Sequence, residues 1–398
     1  MRSGGRGCSA TRTGATADLR VEAALVKGIA NLLGDHIDGL LDLVSDCVAR
    51  ERTLRPFALA AAANVASYEA IHRFEFDAAQ RWQKWAEPYH ARTTGPLSAV
   101  YGYCFSGLAA FEMLRVEEAE RHFRRAYEPA GRSGGSRSYS TQLASAMLGC
   151  MLYEKGYVDE AERLLDESHQ LGSEGGVVDF MLVTYGTGAR IKAIRGDLVA
   201  ARNRLDEGAE IAAALKLPRL TARIENERTR WNMKANIRSP VQREATTETG
   251  SSPLNGILEM TTELYEDAAI RILLAEKTSH DAVEALELAS ALVARMRAQH
   301  RPRAALRAGL LEVAALCAAH GEEEAEAALV PLAARCAQLG LIRLLCDEGP
   351  ALTKLVASLR ERLLHNRWPS EWPTIDEPFL SAVLAAEQTE PRLSTPLR

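Results

Sequence analysis

Between Gly156 and Pro218 the alternation of apolar and polar positions spells the same helical unit twice. GYVDEAERLLDESHQLG, from Gly156, and GDLVAARNRLDEGAEIAAALKLP, from Gly196, each carry an alanine (Ala161 or Ala201), a leucine four residues on and a small residue seven on. Those three positions share one helix face. Small residues two turns apart let a second helix approach, and the leucine between them fills the gap. A unit of this kind cannot bury its apolar stripe alone, so it implies a stack of similar units.

With the alanine as a ruler, the same pattern recurs at Ala79, Ala119, Ala161, Ala201, Ala285 and Ala325, in steps of 40, 42, 40, 84 and 40. One step back lies Gly39, with Leu43 four on, and the double step implies a worn copy near position 243. Each copy supplies a first helix, before the ruler residue, and a second helix that contains it. First helices are expected over Pro56–His72, Leu97–Met113, Ser140–Lys155, Val178–Arg195 and Pro218–Lys234. Second helices are expected over Asp77–His90, Val116–Glu128, Val158–Leu171 and Leu198–Leu215. Gly-Pro and Gly-rich stretches mark the turns between them.

The expected organisation is a disordered leader over residues 1–20 and repeats over 21–236. A disordered or exposed loop follows over 237–253, rich in Ser, Thr, Glu and Pro. Repeats resume over 254–364, and an irregular tail covers 365–398, where Pro369, Pro373 and Pro378 forbid a continuous helix. A short helix over Pro378–Glu387 is expected to dock as a cap.

Composition narrows the class. A chain of 398 residues dominated by Ala, Leu, Glu and Arg suits an all-α solenoid, in which each unit meets its neighbours and no single core has to grow. The net charge of −5 gives no electrostatic case for direct nucleic-acid binding. Seven cysteines form no CxxC pair and read as reduced core thiols, which suits a cytoplasmic protein. The longest apolar run, Pro56–Ala63, is far too short to span a membrane.

The unit of alanine, apolar at +4 and small at +7 resembles the second half of a tetratricopeptide-like repeat. The stretches Ala268–Leu306 and Ala319–Leu359, and above all LLCDEGPALTKLV (Leu344–Val356), resemble the repeat domain of the MalT-like, LuxR-type bacterial regulators. The resemblance covers about Val21–Leu364 and implies a right-handed superhelical α-solenoid of helix pairs with a period of about 40 residues. In that family an NTPase module precedes the repeats and a DNA-binding helix-turn-helix usually follows; the chain has no GxxxxGK[ST], and its irregular tail does not read as that motif. The large bacterial serine/threonine kinases of the PknK type are similar in carrying such repeats without the DNA-binding ending. The chain has no HRD or DFG motif, so it reads as a non-enzymatic regulatory arm served by an upstream kinase or NTPase module.

No catalytic residue, metal ligand or cofactor is assigned. The nine histidines never come as HxxxH or HExxH. The glycine pair in YGTGAR (Tyr185–Arg190) lies inside helical pattern with no strand before it, and reads as close helix contact. The basic stretch Arg295–Arg307 (RMRAQHRPRAALR) has the charge to touch phosphate but reads as a solvated face. The groove candidates are aromatic and polar residues on first helices: Tyr68, Tyr101, Tyr103, Tyr185, Arg190, Arg223, Asn226, Arg230 and Trp231. Aromatics would stack on a sugar or peptide while Arg and Asn fix its polar groups, so the expected occupant is a protein partner or a small-molecule effector.

Overall fold

The computed structural model describes residues 7–134, 138–233, 255–276 and 278–388, and among them there are helices and turns but no strand. In chain order the elements are α1 (Gly7–Leu33), α2 (Leu40–Ala49), α3 (Pro56–His72), α4 (Phe76–His90), α5 (Leu97–Glu112), α6 (Val116–Gly134), α7 (Tyr139–Glu154) and α8 (Val158–His169). Next, α9 (Val178–Met181) runs through a π-helical turn, Leu182–Thr187, into α10 (Gly188–Ile194), followed by α11 (Leu198–Leu215) and α12 (Pro218–Arg230). The remainder comprises α13 (Gly256–Glu276), α14 (Ser279–Ala298), α15 (Pro302–His320), α16 (Glu322–Leu339), α17 (Ile342–Cys346), α18 (Pro350–Leu364) and α19 (Glu377–Gln388). The fold is the all-α solenoid of tetratricopeptide-like helix pairs that the repeat implies.

The period is set by a turn as much as by the alanine. Phe74, Leu114, Gly156 and Gly196 all adopt the left-handed conformation. In each case the next residue's N–H returns to the carbonyl five residues back, as Glu75 does to Ala70, at 2.8–3.0 Å. This helix stop satisfies orphan carbonyls and starts the partner helix at once. Five residues past each turn lies the ruler alanine: Ala79, Ala119, Ala161 and Ala201 are all at most 1% exposed. The close approach is met from the facing helix too. A Cβ on Gly149 of α7 would sit 2.9 Å from Leu165 and 3.3 Å from the Ala161 carbonyl.

Two parts of the ruler need correction. Ala285 and Ala325 are fully buried, yet each lies fifteen residues before a left-handed residue, His300 or Gly340, rather than five after one. In the second half the alanine therefore belongs to the helix that precedes the turn. Gly39 is exposed, with nothing within 4 Å of where its Cβ would be. Its φ of 74° opens α2 from the left-handed region, so glycine is there for conformation and not for packing.

Helix α1 begins at Gly7, so part of the expected leader is helical. Beyond the reach of the apolar period it is held by charge: Asp18 accepts from Arg50 and Thr53, and Arg55 pairs with Glu22. The loop expected over 237–253 lies outside the described residues. The prolines after His365 do interrupt the helix, and α19 docks on α17 and α18, where the Cys346 thiol meets the Val383 carbonyl. No helix among the described residues is long and apolar enough to cross a membrane.

Second helices are amphipathic: α4 buries only Phe76, Ala79, Gln83 and Ala86. First helices are buried all round, without a break from Ala58 to His72 in α3 and from Ser140 to Glu154 in α7. A first helix in an open ladder would show its concave face to water. Here the second half of the chain covers that face. Gly256, at the start of α13, rests on the His72 carbonyl at the end of α3, with no room for a Cβ. Arg301 lies 4.1 Å over the Phe74 ring and Arg303 4.1 Å over Phe111. Ile342 of α17 packs on Gly156.

Candidate functional site: an arginine-lined cavity at the seam

Where the two halves meet they enclose a cavity of about 140 Å³. Its walls come from α3, α5, α7, the α9–α10 helix, α12, α13, α15 and α17, and they present seven arginines: Arg190, Arg219, Arg223, Arg230, Arg301, Arg303 and Arg307. Buried guanidinium groups need paired anions, and most of these have them.

At one end Arg219 is fully buried between two carboxylates. It donates to Asp35 at 2.6 and 2.9 Å and to Asp179 at 2.8 and 3.0 Å. Its Nη2 also meets the Tyr68 hydroxyl at 3.2 Å, and that hydroxyl donates to Asp35 at 2.6 Å. The His72 Nδ1 lies 2.8 Å from the Tyr68 carbonyl, so it must donate there; in the neutral ring this leaves Nε2 to accept from Arg219 at 2.9 Å. Asp35, His72 and Asp179 converge as a metal-ligating set would, but the guanidinium stands in their midst and supplies the cation. Burial alone would raise the Asp179 carboxyl; the Arg219 guanidinium outweighs it and holds it far below its usual value. Burial, reinforced by Asp35, pushes the Tyr68 hydroxyl well up.

The centre is built on Asp347, from the DEGP of the quoted C-terminal phrase. Its carboxylate accepts from Arg190 at 2.6 Å, from Arg343 at 2.6 Å and from Tyr153 at 3.0 Å, and its carbonyl accepts from Arg230 at 3.2 Å. Arg190 is also chelated by Glu227, which Arg223 touches at 2.9 Å. Burial opposes ionisation of Glu227, yet Arg190 and Arg223 hold its carboxyl down to about 2. Beside it, Asp267 and Glu348 bind Arg271 at 2.8 and 2.6 Å, and Asn226 donates to Asp267 at 2.6 Å. At the far end Glu112 and Glu154 share Arg303.

Of the residues expected to line a groove, Arg190, Arg223 and Arg230 border the cavity. Asn226 lies behind them on Asp267 and the Leu264 carbonyl, and Tyr68 stands behind Arg219. Tyr101 stacks on Phe180 with centroids 5.7 Å apart, Tyr103 lies under Arg125, and Tyr185 is buried against His169. Trp231 packs half-buried at the end of α12. The structure brings only the three arginines together at the cavity itself.

The cavity also contains residues that sequence reasoning passed over: Tyr153, Arg219, Asp347, and three arginines from the basic stretch read as solvated. Arg301 is 2% exposed, pairs with Glu263 and caps Phe74. The stretch is basic because three of its arginines enter the seam. The signal was the alternation of Arg301, Arg303 and Arg307 with alanines over one helix start. The glycine pair likewise seats arginines: a Cβ on Gly186 would strike the Arg223 side chain, and one on Gly188 would lie 2.7 Å from the Arg204 guanidinium.

Residues 54–362 match the family described as the MalT-like TPR region. The chain is 40% identical over 335 residues to the serine/threonine-protein kinase PknK of Mycobacterium tuberculosis strains CDC 1551 and H37Rv, and of Mycobacterium bovis. That alignment takes in 84% of this chain but 30% of the kinase, so the chain spans about a third of the length of these relatives.

Proposed function

This chain belongs to the family of MalT-like TPR regions, and we propose that it is a non-catalytic regulatory arm. It holds a protein partner or small effector on its concave side and passes that occupancy to a serine/threonine kinase module, carried in the same polypeptide or another. The observation that carries this reading is the placement of the cavity. Its walls come from both halves of the repeat array, so an occupant touches helices far apart in the chain and biases how the halves sit together. Such a bias is what coupling to an attached module requires: differential contact with two arrangements of one element.

The test joins the chain to a kinase module of the related type and compares phosphotransfer with the arm present, with it absent, and with Asp347→Asn, which weakens the central ionic contact without removing a helix. The expected result is a rate that changes about fivefold or more on adding the arm, with the change altered in the variant. Equal rates in all three preparations would remove the proposal. The family description also favours a second reading, an effector-sensing arm of an ATP-dependent transcriptional regulator. In that case ATP hydrolysis by the NTPase module is the step that responds.

A further inference from the structure

We propose that the end of the cavity bordered by Arg223 and Arg307 binds a small oxyanion, a phosphate or carboxylate group on a compact body. The proposal rests on the regulatory reading above in treating the cavity as the place an effector occupies, and it names the chemistry of that effector.

The argument starts from pairing. Arg190, Arg219, Arg230, Arg301 and Arg303 each lie within 4.0 Å of at least one carboxylate of their own cluster. Among the described residues Arg307 has no carboxylate within that distance, although it borders the cavity. Arg223 is 8% exposed, and among the described residues it pairs with one carboxylate, Glu227, which Arg190 already engages with two of its nitrogens. Burial, compounded by the charges of Arg190, Arg307 and Arg230, lowers the Arg223 guanidinium to about 10 despite Glu227. Two forked donors thus face one space with less negative charge than they need.

Arg303, one turn before Arg307 on α15, is by contrast already matched by carboxylates. Glu112 and Glu154 share the single Arg303, and Glu154 Oε2 is buried with no hydrogen-bond partner among the described residues.

Arg223 is also held in position. It lies against Gly186, where any Cβ would strike its Nε. That glycine sits in the π-helical turn Leu182–Thr187, a local distortion often found at functional sites. The same turn gives Leu182, Val183 and Thr187 to the wall. Preorganised guanidinium forks match the geometry of carboxylate and phosphate oxygens. Phe111, Met147 and Leu264 give the rest of the space apolar walls. At about 140 Å³ the space falls short of the roughly 300–1,000 Å³ of sites for drug-sized ligands, so the occupant is small.

The experiment follows thermal unfolding and calorimetric binding of the whole chain with inorganic phosphate in one arm and succinate in the other. Both run against chloride at matched ionic strength, up to about 10 mM anion. At least one anion should raise the melting temperature of the native chain and bind to it; which one assigns the head group. Arg307→Gln should weaken that binding by about tenfold or more, the worth of a charge-assisted contact, whereas Arg92→Gln, at an exposed arginine, should leave it unchanged. If Arg307→Gln does not fold in chloride, Arg307→Lys replaces it, keeping the charge but not the fork, with the same expectation of weaker binding. No response to either anion, or a response that the Arg307 variant shares undiminished with the native chain, overturns the proposal. Kinase regulation that survives this negative result leaves the regulatory arm standing without the anion site. Anion binding with no effect on phosphotransfer does the reverse.

Discussion

The ladder from α3 to α8 and the seam that covers its concave side are built from different materials. In the ladder, alanine, glycine and leucine meet across helices joined by a three-residue turn, and almost everything that touches is near in sequence. At the seam the contacts are ionic and distant: Arg219 reaches Asp35 across 184 positions and Tyr153 reaches Asp347 across 194. Apolar periodicity can specify a helix pair, but it is indifferent to how far the array curves. Desolvated ion pairs contribute little net stability, but they penalise every arrangement that separates them. The difference teaches that one half of the design makes the repeats and the other selects a single relation between them.

The largest expected effect breaks the seam. Arg219→Met should cost about 3–5 kcal/mol, because Asp35 and Asp179 are left buried without their cation, and the denaturant midpoint should fall accordingly. A cost near that of an exposed substitution would mean that the seam does not organise the fold.

Acid should separate the two regions next. Glu227 ionises at about 2 in the fold and near 4.5 unfolded. Its contribution is thus fully present above pH 4.5 and is lost as pH falls through 2, a change of order ~3 kcal/mol. The ladder has fewer such groups, chiefly His90, which burial holds down to about 4, and Glu120, held down against burial by Lys155 and Arg124, whereas at the seam arginines hold down Asp179, Glu227, Asp267 and Asp347, so far-UV helicity should outlast the seam as the pH drops. Simultaneous loss of both would mean that the ladder cannot stand without its cover.

Smaller effects sharpen the comparison inside the ladder. Ala161→Leu should cost about 1–3 kcal/mol by forcing α7 and α8 apart. Gly39→Ala, in open space, should cost only about 1 kcal/mol from its backbone conformation. Thermal melts of the two variants check the order; a larger loss at Gly39 would restore it as a packing position.

The ladder was legible because its signals are local. Pro56, Pro218, Pro302 and Pro350 open helices where a missing N–H does no harm, and the observed ends of α3 and α11 are those the apolar period implies. A spacing of 84 residues cannot reveal that the alanine has moved to the helix before the turn, because the step is the same in either phase. Gly39 misled for a related reason: smallness and left-handed backbone are one letter in a sequence. At the cavity, Arg190, Arg223 and Arg230 could be picked out as polar residues on first helices. Arg219, with its neighbours Pro218 and Leu220, looked like part of a helix start, and nothing nearby names Asp35 as its partner. The basic stretch around Arg301 looked solvated because its acids, Glu112, Glu154 and Glu263, lie on other helices.

Gly256 resting on the His72 carbonyl also changes how the molecule comes apart. An open stack of repeats frays from its ends, each unit leaving at the expense of one interface. Here neither terminal third can peel away without stripping the other, so heat should meet a single cooperative event with matching calorimetric and van't Hoff enthalpies, as in an ordinary globular domain.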